Sequence, residues 1–181
     1  NPSYTPHDFI GKKLKDAPDV IVDREMANYV EEYVNYVNSF NGDLFVEIRV
    51  NFSEWVPEGF GTSDAIVFDS EAGIVHIIDL KYGKGLLVEV ENNSQAMLYA
   101  LGVYNEYYFD YDFDLITLHI YQPRIGNICE WNITVKDLLK WAETVVKPTA
   151  LLCLTDDAPR VAGEKQCQWC KAKATCPTLQ K

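Results

Sequence analysis

The sequence predicts an α/β fold, a mixed β-sheet flanked by helices, followed by a cysteine-containing tail. Three observations carry this. The apolar period is helical over residues 23–39 and shortens to two over residues 44–52. Two further strand-like runs, 61–69 and 74–82, are separated by a turn at Ser70–Gly73. A second helical run, 93–108, then leads to another strand, 115–122, the crossover of a mixed sheet. A chain of 181 residues is one domain by size, here a core of about 23–155 and a tail of 156–181.

Each element has a local reason. Residues 6–16 carry a weak helical pattern. Met26, Tyr29, Val30, Tyr33, Val34 and Val37 form one apolar stripe, Asp23 suits the N-cap, and Asn41-Gly42 ends the helix. LFVEIRVNF alternates and is β-branched. GTSDAIVFD and the run 74–82 pair as a hairpin. Asn93 or Ser94 caps the next helix. LITLHIYQ is a strand that Pro123 stops. Residues 134–153 form a long amphipathic helix capped by Thr134, with a kink or break expected at Pro148.

Composition narrows the function classes. The net charge of −11 argues against a simple nucleic-acid binder, which tends to be basic. It is compatible with a metal-dependent nuclease, whose carboxylates gather around cations. No apolar run approaches the ~20 residues of a membrane span, so no membrane partner is expected. No secretory signal is visible. The five cysteines are odd in number and crowd toward the end, unlike a secreted disulfide framework. A reducing, cytoplasmic compartment is the expectation.

The stretch IIDLKYGKG, residues 77–85, holds the clearest chemistry. Strand geometry puts Val75, Ile77, Asp79 and Lys81 on one face. A hairpin turning at 70–73 pairs residues whose numbers sum to roughly 143, which sets Asp64 opposite Asp79. Adjacent carboxylates repel and are costly to bury. A Mg²⁺ ion, which favours one or two protein carboxylates plus water and phosphate oxygens, resolves both problems. Lys81 could then orient or deprotonate a water, or neutralise a phosphoryl transition state. The same three residues also suit a plain ion network at a sheet edge. Gln95 and Tyr99 share a helix face at i, i+4 spacing, which, taken alone, ordinary amphipathic packing explains better than a site does.

The order Gly61-x-x-Asp64, a turn, then Ile78-Asp79-x-Lys81-x-Gly83 resembles the core of the PD-(D/E)XK nuclease superfamily. Gln95-x-x-x-Tyr99 resembles the motif of its RecB-like branch. With SEWVPEGFGTSDAIV, ENNSQAMLYALG and YQPRIGNICEW, the chain from about residue 23 is similar to a phage and prophage family of that branch. Ser63 stands where the superfamily name has Pro. The resemblance implies a restriction-endonuclease-like core and a Mg²⁺- or Mn²⁺-dependent DNA nuclease, an exonuclease, leaving 5′-phosphate and 3′-hydroxyl ends. It implies phage or prophage DNA processing or recombination in a bacterial or phage-infected cell, with recombination or replication proteins as partners. Asp64 and Asp79 would bind metal with His7 and the Leu80 carbonyl; Lys81, Gln95 and Tyr99 would complete the catalytic set. His7 fits the branch's N-terminal metal-binding histidine, and equally an exposed residue without a role. His76 falls on the face opposite Asp79, His119 in an apolar strand where a structural role suits it, and Glu47 on a neighbouring strand as an alternative ligand or a surface residue. Lys12, Lys13 and Lys84 are candidates for phosphate contacts.

CQWCKAKATC spaces Cys167, Cys170 and Cys176 as C-x2-C-x5-C. Thiolates this close favour a soft metal or a cluster. Three is one short of a closed zinc or iron–sulfur site. The tail is similar to that of CRISPR-associated iron–sulfur exonucleases, where an upstream cysteine joins three C-terminal ones. Here none precedes Cys129, so the fourth ligand of a [4Fe–4S] cluster would lie before Asn1 or be absent. Zinc, or no metal, is the alternative. Two rival functions stay open: a catalytically silent DNA-binding or assembly module, and a structural metal–cysteine protein.

Overall fold

The computed structural model describes residues 4–156 and 158–179. Among them, five strands form one sheet in the order β1 (Asp43–Asn51), β2 (Phe60–Asp69), β3 (Ile74–Leu80), β4 (Leu115–Gln122), β5 (Asn127–Thr134). The first three run antiparallel, β4 is parallel to β3, and β5 returns antiparallel to β4. The crossover between β3 and β4 is helix α2 (Ser94–Tyr107). The fold is therefore the mixed sheet with flanking helices that the hydrophobic periods predict, and it is consistent with a restriction-endonuclease-like α+β core.

Helix α1 (Arg24–Asn38) is capped by the Asp23 side chain, which accepts from the Met26 amide. It covers one face, where Tyr33, Tyr36, Val37 and Phe40 pack on Ala65, Val67 and Ile78. The other face is the main core. Ile66, Phe68, Val75, Ile77, Ile116, Leu118 and Ile120 pack there against Ala96, Met97, Ala100, Leu101 and Val103 of α2. Strand β4 is buried on both faces, hence its near-continuous apolar run. Gly102 lets α2 approach β1: a Cβ there would sit 2.7 Å from Val50 Cβ and 3.2 Å from the Asn51 amide. Gly102→Ala is expected to destabilise by about 1–3 kcal/mol through overpacking, read as a lower urea midpoint.

Three local expectations change. Strand β5 occupies residues for which the hydrophobic periods predict no element; its inward residues Cys129, Trp131 and Ile133 alternate with Glu130, Asn132 and Thr134, after a turn at left-handed Gly126. The weak pattern at 6–16 is only a 3₁₀ turn, Pro6–Phe9, closed by a Thr5–Asp8 capping box and followed by Gly11 at φ +84°. The long helix is continuous from α3 (Val135–Trp141) to α4 (Lys147–Cys153), but through a π-helical turn, Ala142–Val146. The widening precedes Pro148, which has no amide to give residue 144 and whose ring crowds that carbonyl.

Candidate active site

Strands β2 and β3 form the centre of the site. Their ladder runs Asp69↔Ile74 to Ala65↔Ile78 and stops there. The next pair in that register is Asp64 and Asp79. Instead of a backbone carbonyl, the Asp64 carboxylate takes the Leu80 amide, Oδ2 accepting at 2.7 Å. That bond holds Asp64 at the end of the hairpin. On the other side, the β1–β2 register skips from Val46↔Ala65 to Ile48↔Ser63. The residue omitted opposite Asp64 is Glu47, at φ +52°. Phe45 packs on the main core before it, and Ile48 after it, so the inward alternation of β1 reverses at Glu47. Three acidic residues thus occupy one row across three strands, 47–64–79.

Asp79 is 7% exposed. Its Oδ2 stands 2.8 Å from Lys81 Nζ, an ion pair. Among the described residues that oxygen has no other polar partner. Lys81 Nζ donates to Gln95 Oε1 at 3.1 Å, and Gln95 Nε2 to the Tyr99 hydroxyl at 2.9 Å. Carboxylate, ammonium, amide and phenol form one chain from β3 onto the first turns of α2. The cap of α2 is firm: the Asn93 side chain accepts from the Ala96 amide. Gly61 packs under this chain, since a Cβ there would collide with the Tyr99 ring.

Burial raises the Asp64 pKa above the ordinary carboxylate range; the Leu80 amide opposes this, and the charges of Asp79 and Glu47 reinforce it. Tyr33, on α1, is a member of the site that its place in an apolar stripe disguised. Its hydroxyl lies 3.4 Å from the Ile78 carbonyl. Burial, then the charges of Asp64, Asp79 and Glu47, push its pKa up.

A family model described as a protein of unknown function, DUF2800, matches residues 3–181. The chain belongs to the DUF2800 family. Among solved structures, one described as the crystal structure of SSO0001 is similar to this DUF2800 chain with a TM-score of 0.38. Its identity is 15%, over 84% of this chain and 67% of that one.

Not every candidate residue joins the set. In this DUF2800 chain, His7 faces α1: Nε2 is 2.9 Å from Asn28 Oδ1 and Nδ1 is 3.6 Å from Glu31. His76 lies on the face opposite Asp79, against Phe40. His119 is fully buried between Tyr36 and His76. Cys167, Cys170 and Cys176 line one cavity of about 460 Å³ with Arg160. The Gly163 amide points at Cys167 Sγ at 3.5 Å, and the Cys176 pKa is lowered, chiefly by the backbone amides of Leu179 and Thr178. Among the described residues, no three His, Cys, Asp or Glu side chains are gathered closely enough to hold a metal. The three thiols share a cavity without closing into a ligand set. No described helix is long and apolar enough to cross a membrane.

Proposed function

We propose that this chain is a divalent-metal-dependent DNA nuclease of the PD-(D/E)XK, RecB-like type, acting as an exonuclease in phage or prophage DNA processing. The observation that carries the reading is the Asp79–Lys81–Gln95–Tyr99 chain beside Asp64. A structural ion pair at a sheet edge needs no such relay, and no second carboxylate turned to the same end of the hairpin. The donor set fits Mg²⁺ or Mn²⁺. Asp79 presents a buried oxygen whose one close partner is the Lys81 ammonium, Asp64 is half-buried beside it, and two carboxylates suffice when water and phosphate complete the shell. Asp64, Asp79 and the Leu80 carbonyl would hold the ion. A bound cation of this kind supplies Lewis acidity at a phosphoryl oxygen and makes its water more acidic. Lys81 would orient the attacking water and offset the charge gathering on the phosphate. Gln95 keeps the ammonium in place, and Tyr99 keeps Gln95 in place. The three thiols of the tail support no step here.

The test is incubation of linear and circular DNA with Mg²⁺ or Mn²⁺. Cleavage that requires the metal, favours free ends and vanishes with chelator is the expected result. DNA binding without cleavage by metal-loaded protein overturns the reading in favour of a silent binding module. Gly61→Ala gives a finer check. The added methyl displaces Tyr99, so a stability loss of about 1–3 kcal/mol should accompany a fall in kcat larger than any change in KM.

A further inference from the structure

The loop that follows Lys81 has no part in the chemistry above, yet it is built with care. It leaves the sheet at Lys81, whose amide donates to the Tyr121 carbonyl at 2.9 Å. It returns to the next residue of β4. Gln122, 2% exposed, accepts from the Val88 amide at 2.8 Å and donates to the Leu86 carbonyl at 3.2 Å. Asn127 braces the same point, donating to the Val88 carbonyl at 2.9 Å and to Gln122 Oε1 at 2.7 Å. Both ends of the loop are thus pinned to one end of β4, beside Lys81. At its base Tyr82 lies between Tyr29, ring centroids 6.3 Å apart, and the Arg124 guanidinium, 4.9 Å from its ring.

This clamp grips the backbone on both sides of Leu87 and turns the side chains outward. Leu86 and Leu87 are 66% and 62% exposed. Just before them Lys84 stands between Gly83 and Gly85, where an added Cβ would meet almost nothing. The same bonds seat Val88 against the main core, while the two leucines just before it are left in water, an exposure that core packing does not explain. It is explained by a ligand with apolar faces and negative charge together. Among macromolecules that suits the end of a DNA duplex: phosphate for Lys84, base faces for the leucines.

Resting on the nuclease reading, we infer that the loop 82–87 is a wedge that opens duplex ends. Leu86 and Leu87 insert at the terminal base step and unstack it. Lys84 takes a backbone phosphate, and the freed strand passes to the Asp79–Lys81 site. The substrate class is then a duplex end that this chain frays for itself. These residues are positioning residues, since none touches the reacting atoms.

The test uses Leu86→Ser/Leu87→Ser, two surface changes that leave the Gln122 clamp in place. In an Asp79→Asn background, a duplex carrying 2-aminopurine at its penultimate base should brighten severalfold on binding. With the leucines replaced, the brightening should be lost. In the otherwise native chain, the ratio of single-strand to blunt-duplex cleavage should rise about tenfold with the double substitution. Brightening that depends on the leucines, in a chain that never cleaves DNA, keeps the wedge and removes the nuclease. Cleavage with an unchanged ratio and unchanged 2-aminopurine signal removes the wedge and keeps the nuclease. A dimer that the double substitution dissociates, with no brightening, assigns the leucines to a contact between copies instead. Absence of any DNA binding overturns both.

Discussion

Lys81→Met is expected to lower metal-dependent cleavage by about 10³-fold, the loss typical of removing one preorganised transition-state donor. The methionine keeps much of the stem and deletes the ammonium that links Asp79 to Gln95. Asp79→Asn should lose as much, because a carboxamide is a poor cation ligand. Stability separates the two. Lys81→Met leaves Asp79, 7% exposed, without its counter-charge, a change worth about 1–3 kcal/mol. Asp79→Asn removes the charge that reinforces the raised pKa of Asp64, so without divalent cation its stability should equal or exceed the native protein's. Added Mg²⁺ should then raise the Tm of the native chain and leave that of Asp79→Asn unmoved, since only binding to the folded state stabilises it. Inactive Asp79→Asn protein with an undiminished Mg²⁺-dependent Tm rise would place the cation elsewhere.

How much of this was legible depends on whether a feature is local or crosses strands. The β2–β3 hairpin has a short turn, so its register follows from counting, and the observed pair Ala65↔Ile78 continues to Asp64 and Asp79 as the spacing predicts. The caps at Asp23, Asn93 and Thr134 are legible because each makes its bond within three residues. Strand β5 was missed because it lies at the sheet edge: Ile128 is half exposed, and polar residues alternate with its inward side chains. The capture of the Leu80 amide by Asp64 depends on β2 and β3 parting beyond Ala65, which residue types do not encode. Glu47 in the left-handed region could not be foreseen either, since glutamate is no usual occupant of it. His7 suited a ligand by residue type and position, yet the Pro6–Phe9 turn sets its ring against Asn28 and Glu31. The meeting of His76 with His119 is likewise non-local, set by the parallel register His76↔Thr117 and Ile78↔His119.

That meeting gives the second large effect: stability should fall as pH drops from about 6.5 toward 5, by up to about 1.4 kcal/mol per pH unit for each histidine the fold keeps neutral. His119 is fully buried on the α1 face. Its Nδ1 is 2.9 Å from the Tyr36 hydroxyl and its Nε2 is 3.1 Å from His76 Nδ1. A neutral imidazole meets both contacts, one nitrogen donating and the other accepting. Phe40 covers the pair, with centroids 4.3 Å from His76 and 5.0 Å from His119. Glu130 Oε2 is 3.7 Å away but largely exposed, so water weakens its pull. Burial and then the neighbouring His76 bring the His119 pKa down to about 3, and burial also lowers that of His76. Below about 6.5 the unfolded chain therefore takes up protons that the folded chain refuses, and acid favours unfolding. Asp64 works in the opposite sense. Its raised pKa lets the folded chain keep a proton that the unfolded carboxylate has lost, over a window above 3.8. The histidine slope is cleanest above that window. His119→Gln retains a donor and an acceptor, removes that residue's titration, and should reduce the slope of the profile between pH 7.5 and 5, leaving the part due to His76, while lowering stability at pH 7.5. Urea midpoints across that range decide the matter: a native profile already flat would mean that the pair is protonated in the fold, with Glu130 as its counter-ion.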